Sequence, residues 1–294
     1  MGLFFSSDRF TRPGPGVRPD APRKKGVARL AEIMGRDMWN FFRAGFLAFL
    51  GCLPFIIGMF FAVETHALLF MLLAGIIGGL IAGPELSAMA DTVLRSLRDE
   101  PGYWWETYRR VWKRNARESL VPGMLTGLVL SMQIFTLFHM SVISAGIVTW
   151  VLLILSFVVT LGLESYIWPQ IALLDLPLYG ILKNSLLLFL GYLPRSLGAI
   201  AIKAVYWGAI LLFFPLTTII LPFTNFWLPM LPALLCIYQP LNKCFTIEST
   251  INKMREDELN AALAKDNEPL PEDPTERAEE STEASSGDCS SEVQ

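Results

Sequence analysis

The feature that most constrains this chain is the gathering of its apolar residues into long blocks separated by short polar breaks. A block of about 20 apolar residues matches the roughly 30 Å hydrocarbon core of a bilayer at a helical rise near 1.5 Å per residue. Only 17% of the residues are charged, whereas soluble domains sit nearer a quarter. The pattern predicts an all-α polytopic membrane protein with about six transmembrane helices plus cytoplasmic interfacial helices. The lipid bilayer is then its first partner.

The predicted spans cover residues 44–63, 67–82, 120–138, 143–169 and 196–221, and a sixth starts near residue 226. Pro54 should kink the first. The second is rich in small residues (Gly75, Gly78, Gly79, Gly83), which let helices approach closely. The sixth is short and interrupted by Pro229, Pro232 and Pro240. Ahead of the spans, residues 1–43 read as a Pro/Gly-rich cytoplasmic arm without a signal-peptide apolar region, followed by an amphipathic lead-in helix. That helix sets Leu30, Ile33, Trp39 and Phe42 against Arg29, Arg36 and Arg43. Residues 44–255 form the transmembrane domain, with a cytoplasmic helical hairpin at 85–118. In the second arm of that hairpin Trp104, Tyr108 and Trp112 recur at helical spacing beside Arg109 and Arg110, as in a helix lying among lipid headgroups. Aromatic and cationic side chains also suit RNA stacking, but the flanking spans favour lipid, so no nucleic-acid partner is expected. Residues 174–190 are apolar yet carry Asp175, Lys183 and Asn184, and read as a re-entrant or interfacial helix. Residues 256–294 hold 13 acids and 2 bases and almost no apolar bulk, which predicts a disordered acidic tail.

Charge sets the expected orientation. The net charge of −3 hides a basic body, because removing the tail leaves 22 bases and 14 acids. Nine bases lie in residues 1–43 and seven in 95–117, while the breaks at 64–66, 139–142 and 222–225 hold none. Lys203 lies within snorkelling reach of an inner span end. Every base falls on one side if the spans number six, so the positive-inside rule predicts a multi-pass plasma-membrane protein with both termini cytoplasmic.

Several stretches, taken in order, resemble a known family. They are Phe10-Thr11-Arg12-Pro13-Gly14-Pro15-Gly16-Val17, Asp20-Ala21-Pro22-Arg23-Lys24-Lys25, Trp39-Asn40-Phe41-Phe42, Leu53-Pro54, Gly83-Pro84-Glu85-Leu86-Ser87-Ala88-Met89, the aromatic-rich stretch 103–112, and Lys113-Arg114-Asn115-Ala116-Arg117-Glu118-Ser119-Leu120. Together they are similar to the YesL-like family of bacterial integral membrane proteins, over most of residues 8–250. This chain carries arginine where relatives often have lysine. The resemblance implies several transmembrane helices in a Gram-positive-type bacterium. It also implies an accessory role beside carbohydrate ABC transporters, whose subunits become expected partners.

Chemistry, if any, should reside in ionisable or polar groups inside spans, because these are costly in lipid. Glu164 and Lys203 are predicted near the inner leaflet and could pair, either structurally or as a substrate or proton site, and Gln133 is the polar residue of the third span. Gly83-Pro84 with Glu85, and Pro169, are predicted to end the second and fourth spans. Asn115 and Asn184 follow in similar basic-Asn-small contexts. If the hairpins repeat, the broken helix starts around Pro84 and Pro169 would bring backbone dipoles to a shared cavity; the alternative is ordinary span-end chemistry. His66 and His139 fall in breaks on the outer side and read as turn residues, with metal or pH sensing as the sharper alternative. Cys52, Cys236, Cys244 and Cys289 form no metal-type spacing. No hydrolase, P-loop or dinucleotide motif occurs. The expectation is therefore a non-enzymatic accessory or regulatory protein with neither metal nor cofactor. The alternative is a small-molecule transporter with a cavity near the inner leaflet.

Overall fold

A computed structural model describes residue 24 and residues 26–100, 103–140 and 146–266. Among these residues every regular element is a helix. Five helices are long and apolar enough to cross a membrane: α1 (Gly26–Thr65), α2 (Leu68–Arg98), α3 (Trp104–Phe138), α4 (Ile147–Leu173) and α6 (Leu193–Leu212). Shorter helices are α5 (Leu178–Gly191), α7 (Thr217–Thr224) and α8 (Trp227–Phe245). This is the architecture of an all-α polytopic membrane protein. The described residues up to Phe245 form one compact unit. The second unit, 246–294, contributes one described helix, α9 (Ile247–Asp266).

The first three helices are longer than their apolar blocks. α1 runs unbroken for 40 residues through Pro54, so the lead-in helix and the first span are one rod. α2 continues through Gly83 and Pro84 to Arg98, and both residues are buried inside the helix. The predicted break at Gly83-Pro84 is therefore absent. The irregularity lies one to two turns earlier, where Ala74–Gly78 forms a π-helical turn. Likewise α3 starts at Trp104 and reaches Phe138 without interruption. The predicted cytoplasmic hairpin 85–118 is thus the continuation of two spans, not two separate helices of which the second lies among lipid headgroups. A proline inside a long helix removes one backbone bond, and neighbouring helices make that tolerable in apolar surroundings.

Close packing between α2 and α3 explains the glycine pattern. A Cβ on Gly79 would lie 2.2 Å from the Gly123 carbonyl oxygen, and one on Gly123 would lie 2.4 Å from that of Gly79. Gly83 meets the Ser119 carbonyl in the same row. α1 crosses the other side of α2, with Phe55 against Gly78 and Gly51 against the Glu85 side chain.

The second half departs from expectation in two places. α4 passes through a buried Pro169 and ends at Leu173, so Pro169 ends no span. The fifth span ends at Leu212, and α7, which contains Pro222, occupies most of the turn expected at 222–225. Between them, the segment read as a re-entrant or interfacial helix is the 14-residue helix α5, too short to cross. The expected sixth span, α8, is 19 residues long and contains Pro232 and Pro240. Its residues Trp227, Leu231, Leu234, Ile237 and Leu241 are almost fully buried, packed against α1, α2, α4 and α6. Its mean hydropathy is modest because it faces protein rather than lipid. Phe41 of α1 stacks on Trp227 with ring centroids 5.8 Å apart. In the second unit α9 remains helical to Asp266, so residues 256–266 are not the disordered tail predicted from composition. The remainder of that tail, and the arm at 1–23, lie outside the described residues.

Candidate functional site

Four ionisable side chains converge where α1, α2, α4 and α6 meet. Lys203 of α6 is only 9% exposed, and its Nζ donates a hydrogen bond to Ser165 Oγ at 2.8 Å. Glu164, one residue earlier on α4, is half-buried and acts on the ammonium through space. Among the described residues no direct hydrogen bond or ion pair joins the two. The Cys52 thiol of α1 lies within electrostatic reach of both Glu164 and Glu85. Glu85 itself is anchored from α3: the Tyr108 hydroxyl donates to its Oε2 at 2.5 Å, and the Trp112 indole donates to the same carboxylate. The missing side chain of Gly51 makes room for it.

The arrangement changes several sequence expectations. Glu85 was expected as part of a helix break and is instead a partly buried acid near the Glu164–Lys203 pair. Tyr108 was expected in the headgroup layer and is 4% exposed, turned inward. Trp104 is half-buried, with the Arg43 guanidinium 5.6 Å from its ring. Arg109 and Arg110 are exposed, as an interfacial face requires, and Trp112 lies at its margin at 36% exposure. Gln133 does not join the Glu164–Lys203 group. It bridges α3 to α4, with Nε2 donating to Ser156 Oγ at 2.5 Å and Thr160 Oγ1 at 2.8 Å. Asn115 is buried and accepts from Arg114, whose guanidinium also donates to the Ala172 carbonyl at the end of α4. A cation there complements the partial negative charge of a helix C-terminus. Asn184 is only half-buried beside an exposed Lys183, so the two basic-Asn pairs play different parts.

Two cavities stand out, and neither is lined by Glu164 or Lys203. One, of about 500 Å³, is an apolar cleft between α3, α4 and α5, lined by Leu125, Val129, Leu152, Leu155, Val159 and Leu163 among others. The other, of about 330 Å³, lies between α1, α2 and α3 and is lined by Arg36, Asn40, Arg95, Asp99, Thr107 and Tyr108 among others. A charged clamp closes the end of α2 beside this polar cavity. Arg29, 6% exposed, donates to the Leu97 carbonyl at 3.1 Å and to Asp99 Oδ2 at 2.6 Å. Arg36 donates to the Ser96 carbonyl at 2.8 Å and pairs with the other oxygen of Asp99. Asp99 occupies the left-handed cap position at φ 60°. Desolvation opposes its charge, but the hydrogen bonds and charges of Arg36 and Arg29 outweigh that and hold its carboxyl below the usual range. Sequence reasoning placed Arg29 and Arg36 on the polar face of α1. The one-face spacing of two arginines was the only signal that they had a common partner, and nothing local identified it.

His66 and His139 also meet, with His66 Nδ1 lying 2.6 Å from His139 Nε2. Among the described residues no group of three or more histidines, cysteines or acids is placed to hold a metal ion. Compared with known proteins, the chain matches no family, no curated protein and no solved structure.

Proposed function

We propose that the protein is a non-enzymatic accessory or regulatory component of a bacterial plasma membrane, working through a rigid cytoplasmic extension of its first three helices. Its length carries the reading. At about 1.5 Å per residue the 40 residues of α1 and 35 of α3 are far longer than the roughly 30 Å hydrocarbon core. The surplus of α1 is tied to that of α2 by the Arg29–Arg36–Asp99 clamp and to that of α3 by the Arg43 guanidinium over the Trp104 ring, and α3 presents Arg109 and Arg110 to solvent. With α8 as a sixth crossing, the basic segments share one face and both termini are cytoplasmic. The resemblance to the YesL-like family names the partner as subunits of a carbohydrate ABC transporter.

The observation that favours the alternative, a small-molecule transporter, is the buried Lys203 within electrostatic reach of the half-buried Glu164, since intramembrane charges mark transport paths. Against it, Lys203 is held by Ser165 on the neighbouring helix, as a structural role requires. Enzymatic chemistry is the weakest reading: Ser165 and Lys203 hold the atoms of a Ser-Lys dyad, but Ser165 is 4% exposed and its hydroxyl donates to the Leu161 carbonyl.

The test is gentle purification from native membranes, followed by identification of bound proteins. Recovery of transporter subunits that disappears when Arg109 and Arg110 are both changed to Glu supports the proposal. A clean monomer from both wild type and variant refutes it.

A further inference from the structure

From the meeting of the two histidines we infer a binding site for one borderline transition-metal cation (Zn²⁺, Ni²⁺ or Cu²⁺), bridging the α1–α2 turn to the end of α3. These are the only histidines in the chain, separated by 73 positions. His139 is 6% exposed and stacks on Phe135 with centroids 4.0 Å apart. Its Nδ1 lies 2.7 Å from the Phe135 carbonyl oxygen. A carbonyl only accepts, so Nδ1 carries the proton and Nε2 presents a lone pair toward His66. A ring nitrogen fixed by a backbone carbonyl, leaving the other free to ligate, is the usual support of a metal-bound histidine. His66 is exposed, in a turn at φ 54°, and its ring stands edge-on to His139 at 83°.

Without metal, His66 Nδ1–H donates to His139 Nε2. Metal binding needs that proton to leave Nδ1 for Nε2 of the same ring, which turns both facing nitrogens into lone-pair donors. Two bonds of about 2.0–2.1 Å at tetrahedral angles hold the nitrogens about 3.3 Å apart. The pair must therefore open from 2.6 Å by about 0.7 Å, which the exposed His66 supplies while buried His139 stays fixed. Water fills the remaining positions.

The experiment uses the full chain, purified without a polyhistidine tag and stripped with chelator. Zn²⁺ and Ni²⁺ are titrated by calorimetry near pH 7.5, with Mg²⁺ as the control. The expected result is one Zn²⁺ or Ni²⁺ per chain and no Mg²⁺, with affinity falling at least tenfold in His66→Ala and in His139→Gln. Because His139 is buried, the His66→Ala variant carries the decision: its fold should persist, and Zn²⁺ should raise the thermal unfolding midpoint of wild type but not of this variant. No saturable binding to wild type, or undiminished binding to His66→Ala, would overturn the site and leave only an N–H···N bond between two turns.

Discussion

Replacing Gly79 with alanine should drive a methyl group into the backbone of α3. The added Cβ would lie 2.2 Å from the Gly123 oxygen and 2.9 Å from its carbonyl carbon. Ordinary contact begins near 3.4 Å, so the two helices must part by about 1 Å, and a gap of about 0.5–1 Å forfeits a quarter to a half of the dispersion energy along the contact row. Overpacking of this kind costs about 1–3 kcal/mol. Alanine returns up to about 1 kcal/mol of helix propensity, which leaves a net destabilisation of about 0–2 kcal/mol, or about 1–3 kcal/mol relative to a glycine that gains the same propensity without the clash. Equilibrium unfolding in mixed detergent–SDS micelles would measure it, with Gly208→Ala as the control, since nothing lies within 4 Å of a Cβ there. Gly123→Ala pushes the same helix pair apart, its Cβ meeting the Gly79 oxygen at 2.4 Å. The double variant should therefore cost less than the sum of the singles. If Gly79→Ala unfolds with the Gly208→Ala control, or if the double variant is strictly additive, the close α2–α3 contact is refuted.

Two other outcomes follow from the charged groups. Asp99 titrates below its unfolded value, so the stability it contributes is full above about pH 4 and is lost as pH falls through the depressed native value. Asp99→Asn keeps a residue type that tolerates the left-handed cap. It should cost about 1 kcal/mol at neutral pH and flatten the unfolding midpoint between pH 5 and 3, which a pH series would read. Lys203→Met and Glu164→Gln should each destabilise, and their double-mutant cycle should show about 1 kcal/mol or more of coupling. Additivity in that cycle would show that the two charges do not sense each other.

The all-α membrane architecture was legible because lipid imposes one rule on every segment: backbone groups must pair within a helix, and side chains facing the tails must be apolar. Block length and charge alternation report that rule locally. The breaks were misplaced for a related reason. Gly-Pro at 83–84 and Pro169 are stop signals in water, but helices packed around them tolerate the lost bond. α8 was legible only as a weak span, since a helix facing protein need not be apolar throughout. Its prolines and Gln239 therefore diluted the signal while Leu231 and Ile237 went to the core.

Of the site, the sequence by itself determined which residues were out of place in lipid: Glu164, Lys203 and Gln133 are conspicuous wherever the chain folds. Which groups they meet was decided only by the tertiary structure. Lys203 finds Ser165 across 38 positions, Gln133 finds Thr160 across 27, and Glu85 finds Tyr108 across 23. Arg29 finds Asp99 across 70, and the two histidines meet across 73. The need of a buried polar group for a partner is local chemistry, readable from one residue. Which partner it finds depends on the registration of separate helices, and for α2 and α3 that registration is set by glycine contacts that no single segment contains.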